Sequence, residues 1–405
     1  MKKLLSAFFI ACLIAAPAFA QEKPPIKIGY INAYTGGNYF VHPNLQGIQL
    51  AVEEINAKGG VLGRKLEVLS RDSKMDPAEA TRIAEELYTR DKVDVLMNAD
   101  ASGTSLAVAG WAAHNHVPFF VTASEADTII WKDFNPYLLR LNPGGYAWVS
   151  GCLEKASALY GDRLKNKRWV TLAPNMEFGR SIVQAGKDIA QQRGLNAQWV
   201  GEQWPAYDKL SAGATIAALD HADPEVVFVA LFGTDVLKFV REARKRDFIK
   251  DRIFIFPPLA APEHLDMLGA ETPKGWVTVG FPYDEVRTKK PTLDSFMQRY
   301  EGRFHEPVKS YSVTGYDGIK AIAAAIEKAG GTDPEKIRAS FDSLRFDTPY
   351  GTETVRSIDH QATVTFWVGV SDVVNGKPKI SDWGEDNIAD HSPPDAWIQK
   401  KRGQP

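Results

Sequence analysis

The sequence predicts an α/β protein with two parallel-sheet lobes. Short apolar runs alternate with helix-patterned segments from Ile26 onward, and that alternation stops around Arg140–Gly145 and then restarts. The 405 residues are long enough to bury two cores of ordinary size.

Ile26–Asn32 alternates as a strand and enters Ala33–His42, a stretch of glycines and aromatics expected to be a loop. Leu45, Ile48, Ala51, Val52 and Ile55 then recur at helical spacing up to a Gly59-Gly60 stop. Lys65–Leu69 reads as a strand, Asp72–Asp76 as a loop, and Pro77–Tyr88 as a helix with proline in its first turn. Val93–Met97 and Val117–Val121 are apolar strands around a helix from Thr104 to about His114. Parallel neighbours place the loops that follow these strands, Asn98–Gly103 and Thr122–Asp127, at one sheet edge, where open α/β folds bind ligands.

The second nucleus repeats the plan. Its helices are expected at Trp148–Tyr160, Ser181–Gln192, Leu210–Leu219 and Asp235–Arg246. Its strands are expected at Trp169–Leu172, Gln198–Gly201, Val226–Leu231, Ile253–Phe256 and Trp276–Gly280. Helices at Leu293–Phe304, Tyr316–Lys328 and Pro334–Ser343 do not obviously complete that second sheet. Thr363–Val370 alternates as a late strand, and the Asp-, Pro- and Lys-rich chain from Ser381 reads as a surface tail.

Residues 1–20 combine Lys2-Lys3, an apolar run from Leu4 to Ala16, and Ala18-Phe19-Ala20, the three parts of a secretory signal cleaved after Ala20. The apolar run is short of the roughly 20 residues a spanning helix needs, and no later run is long enough. Of two cysteines only Cys152 would remain, which excludes an intrachain disulfide. A formal net charge of −2 without a basic block gives no reason to expect nucleic acid.

The chain carries no nucleophile elbow, phosphate-binding loop or dinucleotide fingerprint. His114 and His116 form the one close histidine pair, and no cluster of partners accompanies them to make a metal site. Ser102 reads as a helix N-cap, so its loop offers free amides and a helix dipole to an anion, with Ser124 in the neighbouring loop. Tyr34, Tyr39 and Phe40 follow the first strand, and Phe178 and Phe232 follow strands of the second lobe, as aromatics that wall a pocket would.

The sequence resembles the periplasmic substrate-binding proteins of ABC importers, in the branch of the leucine/isoleucine/valine-binding proteins and the amide and urea sensors. The matching text is Ile26-Lys27-Ile28-Gly29, Thr35-Gly36, Gly47 through Asn56, Gly59 through Arg64, and Asp72. Pro118-Phe119-Phe120, Phe178-Gly179, Tyr316-Asp317-Gly318, Pro349-Tyr350-Gly351 and Asp359-His360-Gln361 continue it in order.

The resemblance implies two Rossmann-like lobes with parallel sheets and a three-strand hinge, the type I periplasmic binding fold. Residues 21–141 and 284–346 would form the N-terminal lobe, 142–283 and 347–380 the C-terminal lobe, and 381–405 a tail. The crossings fall near Leu141–Gly144, Gly280–Asp284 and Phe346–Tyr350. Ser102 matches the serine that holds a ligand carboxylate, and Ser124, Glu125 and Ala126 match the loop that completes that anion site. Phe40, Phe178 and Phe232 match the aromatics of the cleft, with Tyr39 beside them.

One departure concerns the acidic residue that pairs with an amino acid's ammonium after the strand ending at Phe256. Pro257-Pro258-Leu259-Ala260 stands there instead, which shifts the expectation from an amino acid toward a less polar aromatic or aliphatic carboxylate or an amide, with an amino acid still open. Asp100 or Glu125 could supply the missing charge from the first lobe. The expected protein is a periplasmic monomer and not an enzyme, needs no cofactor, and hands a small molecule to an ABC permease. A periplasmic sensor of the same fold is the alternative.

Overall fold

The computed structural model describes residues 23–403, so the leader assigned to residues 1–20 lies outside the described residues. The chain opens β1 (Ile26–Asn32), α1 (Tyr34–Ala57), β2 (Leu66–Asp72), α2 (Pro77–Thr89), β3 (Val95–Ala99), α3 (Ser102–Asn115), β4 (Phe119–Val121) and β5 (Leu138–Arg140). The strands form a sheet in the order β2-β1-β3-β4-β5, parallel throughout. Every residue of β3, β4 and β5 is buried, as strands covered on both faces require. Asp76 caps α2, accepting the Glu79 N–H at 2.8 Å, and Pro77 fills the position where no amide is needed.

The second lobe runs through α4 (Gly145–Tyr160), β6 (Arg168–Leu172), α5 (Glu177–Gln192), β7 (Gln198–Gln203), α6 (Ala212–His221), β8 (Val226–Val229), α7 (Thr234–Lys245), β9 (Ile253–Ile255), α8 (Pro262–Leu268) and β10 (Val277–Gly280). The chain then returns to the first lobe as α9 (Tyr283–Val286), α10 (Pro291–Phe304), α11 (Ser310–Ala329), α12 (Pro334–Ser340) and a hairpin, β11 (Arg345–Thr348) with β12 (Gly351–Thr354). That return gives the three unplaced helices their home. Gly47 and Gly315 let α1 and α11 meet backbone to backbone. A Cβ on Gly47 would lie 2.0 Å from the Ser312 carbonyl oxygen, and one on Gly315 would lie 2.1 Å from that of Asn44.

Four expectations are corrected. Ala33–His42 is not an open loop: only Thr35–Gly37 departs from helical geometry, with Gly36 at φ 94°, so Tyr39 and Phe40 ride on the start of a helix. The second sheet is mixed. β13 (Thr365–Val374) arrives from the hinge rather than through a crossover helix, and is free to pair antiparallel with β10. The chain from Ser381 lies at the surface but is not a separate tail, because β14 (Lys377–Asn387) pairs with β13 and completes the order β14-β13-β10-β9-β8-β6-β7. Short helices α13 (Ile388–His391) and α14 (Asp395–Lys401) follow it.

The third crossing also lies later than Phe346–Tyr350. There the chain turns back in the β11–β12 hairpin, and it crosses only after Gln361 pairs beside Arg140 at the end of β5.

Candidate functional site

The carboxyl ends of the two sheets face each other across a cavity of ≈ 90 Å³. The loops after β3, β4 and β5 and one face of α11 wall it from the first lobe, and the loops after β6, β8 and β9 wall it from the second. Such a volume exceeds the space of one or two waters and suits a small ligand. Tyr39, Phe40, Asp100, Ser102, Glu125, Phe178, Phe232 and Pro258 all lie in its wall, although they come from six separate stretches of chain.

Ser124 and Ala126 do not reach the cavity wall. The Ser124 N–H donates to Asn142 Oδ1 at 3.2 Å, and the Ala126 N–H donates to Ser102 Oγ at 3.3 Å. Ser102 is therefore not the cap of α3: it is the first helical residue, after Ala101, and its hydroxyl serves the neighbouring loop. The start of α3 has no side-chain cap, so its dipole and first-turn amides remain directed at the cavity end. Asp100 is held beside it, accepting the Ala101 N–H at 2.7 Å and the Ser73 hydroxyl.

Aromatic faces supply most of the remaining wall. Phe178 meets Phe232 edge to face at 5.1 Å, and Tyr207 stacks on the other side of Phe232 at 4.7 Å. Across the cleft Phe40 packs between Tyr39 at 5.1 Å and Tyr311 at 5.3 Å.

Four carboxyl groups also line the cavity, and among the described residues no lysine or arginine does. Burial raises Glu125 and Glu263 to about 7 and Asp100 to about 6, and holds Asp317 well above the carboxylate range. Glu125 accepts from the Tyr311 hydroxyl at 3.3 Å, and Glu263 accepts from Ser310 at 3.3 Å. Pro257-Pro258 does not leave the region without an acid: the second lobe carries Glu263 after β9, delivered by α8 seven residues beyond Phe256.

His264, next on α8, is a scaffold. Its Nδ1 lies 2.7 Å from the Pro258 carbonyl oxygen, and its Nε2 accepts the Gly233 N–H at 3.1 Å. A carbonyl on one side and an N–H on the other fix the neutral Nδ1–H tautomer, and burial pushes the ring down to about 4.

Sequence reasoning missed Glu263, His264, Tyr311 and Asp317. A signal existed for Asp317: Ser310, Thr314 and Asp317 recur at helical spacing as a polar stripe on α11.

The lobes touch over the cavity. Tyr207 donates to the Gly36 carbonyl at 3.0 Å, the Asp127 N–H donates to Ser181 Oγ at 3.1 Å, and Lys309 pairs with Asp266. Beside the first crossing, Arg140 and Asp127 form a buried ion pair at 2.7 Å, and the second Asp127 oxygen accepts the Tyr146 N–H at the start of α4.

Two α/β lobes, three crossings and a cavity between the strand ends define a protein that holds a small solute between its halves. The chain belongs to the periplasmic binding protein family, whose model matches residues 25–377. As a member of that family it is a solute-binding protein that works outside the cytoplasm, and not an enzyme. Among the described residues no helix is long and apolar enough to cross a membrane.

A relative in Brucella abortus, Leu/Ile/Val-binding protein homolog 7, is 26% identical over 85% of this chain and 87% of its own. The fold is similar to that of a Brucella ovis leucine-, isoleucine-, valine-, threonine- and alanine-binding protein in a closed conformation, at TM-score 0.77 and 16% identity, covering 91% of this chain and 97% of that one. It is also similar to a Rhodopseudomonas palustris solute-binding protein in complex with benzoate, at TM-score 0.76 and 19% identity, covering 90% and 97%.

Proposed function

We propose that the protein captures a small amphiphilic acid, with an amino acid as the best-supported class, and delivers it to an ABC permease. The carrying observation is the charge layout of the cavity: an uncapped helix start at one place, and Glu125 with Glu263 from opposite lobes at another. A carboxylate gains from the amides and dipole of α3, and an ammonium gains from the two carboxylates. Tyr39, Phe40, Phe178, Phe232 and Pro258 shape the apolar part, Asp100 and Ser102 flank the anion end, and Ser124 and Ala126 support it from behind.

The lobes are residues 23–141 with 284–361, and 142–283 with 362–387. The mature protein is a periplasmic monomer released by cleavage after Ala20, and the ligand stabilises the closed state by touching both lobes.

A simple aromatic acid is the second reading. It is favoured by the aromatic wall and by carboxyl groups that, near neutrality, are protonated enough to donate a hydrogen bond to a carboxylate.

A thermal-shift and calorimetry panel of amino acids, aromatic acids and amides separates the two. A ligand at 100 times its dissociation constant adds about 2.7 kcal/mol of stability. Amino-acid affinity should rise between about pH 6 and about pH 8, as Glu125 and Glu263 ionise. Tighter binding of benzoate-like acids, weakening over the same range, would favour the second reading.

A further inference from the structure

The cavity continues toward the hinge, past the groups assigned above to the ligand's head. There its wall is Leu141, Asn142, Phe281, Tyr350 and the crossing at Val364–Thr365. Most polar groups at this end are already engaged. The Tyr350 hydroxyl is 2.8 Å from that of Tyr283, and the Thr314 hydroxyl donates to the Tyr311 carbonyl at 3.3 Å.

Two are not engaged. Asp317, on α11, is 2% exposed, and its Oδ1 has no hydrogen-bond partner. Trp148, one turn into α4, is 8% exposed, and its indole N–H has none either. Buried polar groups left unpaired in a native protein call for an explanation, and both of these residues line the cavity.

We propose that the hinge end of the cavity is a second polar subsite, where Asp317 and Trp148 receive a hydroxyl group carried by the ligand at the end remote from its head. The inference rests on the ligand reading above and extends it to the class of hydroxylated ligands. Chemistry selects the group. The indole N–H only donates, so it needs an acceptor. Asp317 forms no salt bridge among the described residues, and burial and the nearby Glu353 outweigh Lys320 in favouring its protonated form, whose carbonyl oxygen needs a donor. An ammonium cannot accept from Trp148, and a carboxylate cannot donate to Asp317. A hydroxyl does both, and its oxygen is small enough for a site bounded by Phe281 and Tyr350.

Calorimetry on the mature chain with two matched pairs, phenylalanine against tyrosine and benzoate against 4-hydroxybenzoate, with leucine alongside, tests this. In whichever pair binds, the hydroxylated member should bind about tenfold tighter, the usual penalty for leaving such groups unpaired. Trp148→Phe removes the N–H and keeps the ring, and Asp317→Leu removes the carboxyl. Each should reduce the ratio within the pair to below about threefold. Circular dichroism and melting temperature establish that each variant is folded, and if one is not, the other still reads the ratio.

Equal affinity within every pair that binds, or a ratio unchanged in both variants, overturns the subsite and assigns the two groups to bound water. In that case leucine or benzoate binding still upholds the broader ligand reading. Binding by none of the five compounds overturns both.

Discussion

Glu125 and Glu263 enter the cavity from opposite lobes, and burial holds both near neutrality instead of at their ordinary 4.5. A group whose folded value is raised binds its proton more tightly in the native state, so its contribution to stability is complete below about 4.5 and is lost as pH rises through about 7. Asp100 acts the same way through about 6. His264 acts oppositely: held neutral and pushed to about 4, it contributes fully above 6.5 and loses that contribution as pH falls through 4. The carboxyl groups outnumber the histidine. The ligand-free protein should therefore melt a few degrees lower at about pH 8 than at about pH 5.5. Scanning calorimetry of wild type against Glu125→Gln/Glu263→Gln checks it, and the double variant should show a flatter profile. Asp100 and Glu125 stood out in the sequence as candidate charges for the ligand, whereas Glu263 did not. A glutamate reads the same whether it faces water or a sealed cavity, and the difference in environment is what moves its proton.

At the scale of elements, the second-lobe wall depends on one imidazole. His264 on α8 ties the loop after β9, through Pro258, to the loop after β8, through Gly233. Gly233 stands at φ 64°, a conformation that glycine adopts at little cost. Replacing His264 by alanine leaves the Gly233 N–H buried without an acceptor and frees the loop that carries Phe232. The expected cost is about 2 kcal/mol in stability, with weaker binding of whichever ligand the panel identifies. Chemical denaturation and calorimetry on His264→Ala measure both, and a loss of affinity without loss of stability would assign the ring to the ligand instead. The start of α1 has a comparable local logic. Glycine and aromatic residues at Gly36–Phe40 read as loop chemistry, yet only three residues leave the helix, because Phe40 and Val41 bury against the first lobe and carry the following turns with them. Local propensity was outweighed by packing.

For the whole molecule, the lobes are joined beside a buried charge pair and strapped by the chain end. Arg140 reaches Asp127, the Ala126 carbonyl oxygen and Gln361, which places the end of β5, the loop of Glu125 and the third crossing in one network. Arg140→Ala leaves the Asp127 carboxyl buried without its partner, so unfolding by denaturant should show a loss of about 3 kcal/mol or more. Adding Asp127→Ala should recover part of that loss, and strictly additive costs would remove the pair as the cause. The strap comes from the tail. Trp397 packs edge to face on Trp131 at 5.0 Å and lies 5.7 Å from Tyr146, so it touches both sides of the first crossing. Arg402 donates to the Ile130 and Ile358 carbonyls at 2.9 and 2.7 Å and lies over the Phe134 ring. Hydrophilic composition made this stretch read as a surface tail, although Trp397 and Arg402 anchor it to the first crossing.

The sequence by itself determined the α/β class, the two sheet nuclei, the placement of ligand loops at strand ends and the aromatic character of the cleft. Those features follow from apolar periodicity and turn residues within a dozen positions of one another, and such local patterns survive without a fold. Tertiary structure alone decided that Glu263 and Glu125 line one cavity from opposite lobes, that α11 turns a polar stripe into it, and that the tail joins a mixed sheet. Each of these depends on contacts between residues from tens to nearly three hundred positions apart. Burial, which sets both the proton affinities and the unpaired groups near the hinge, exists only once those contacts form.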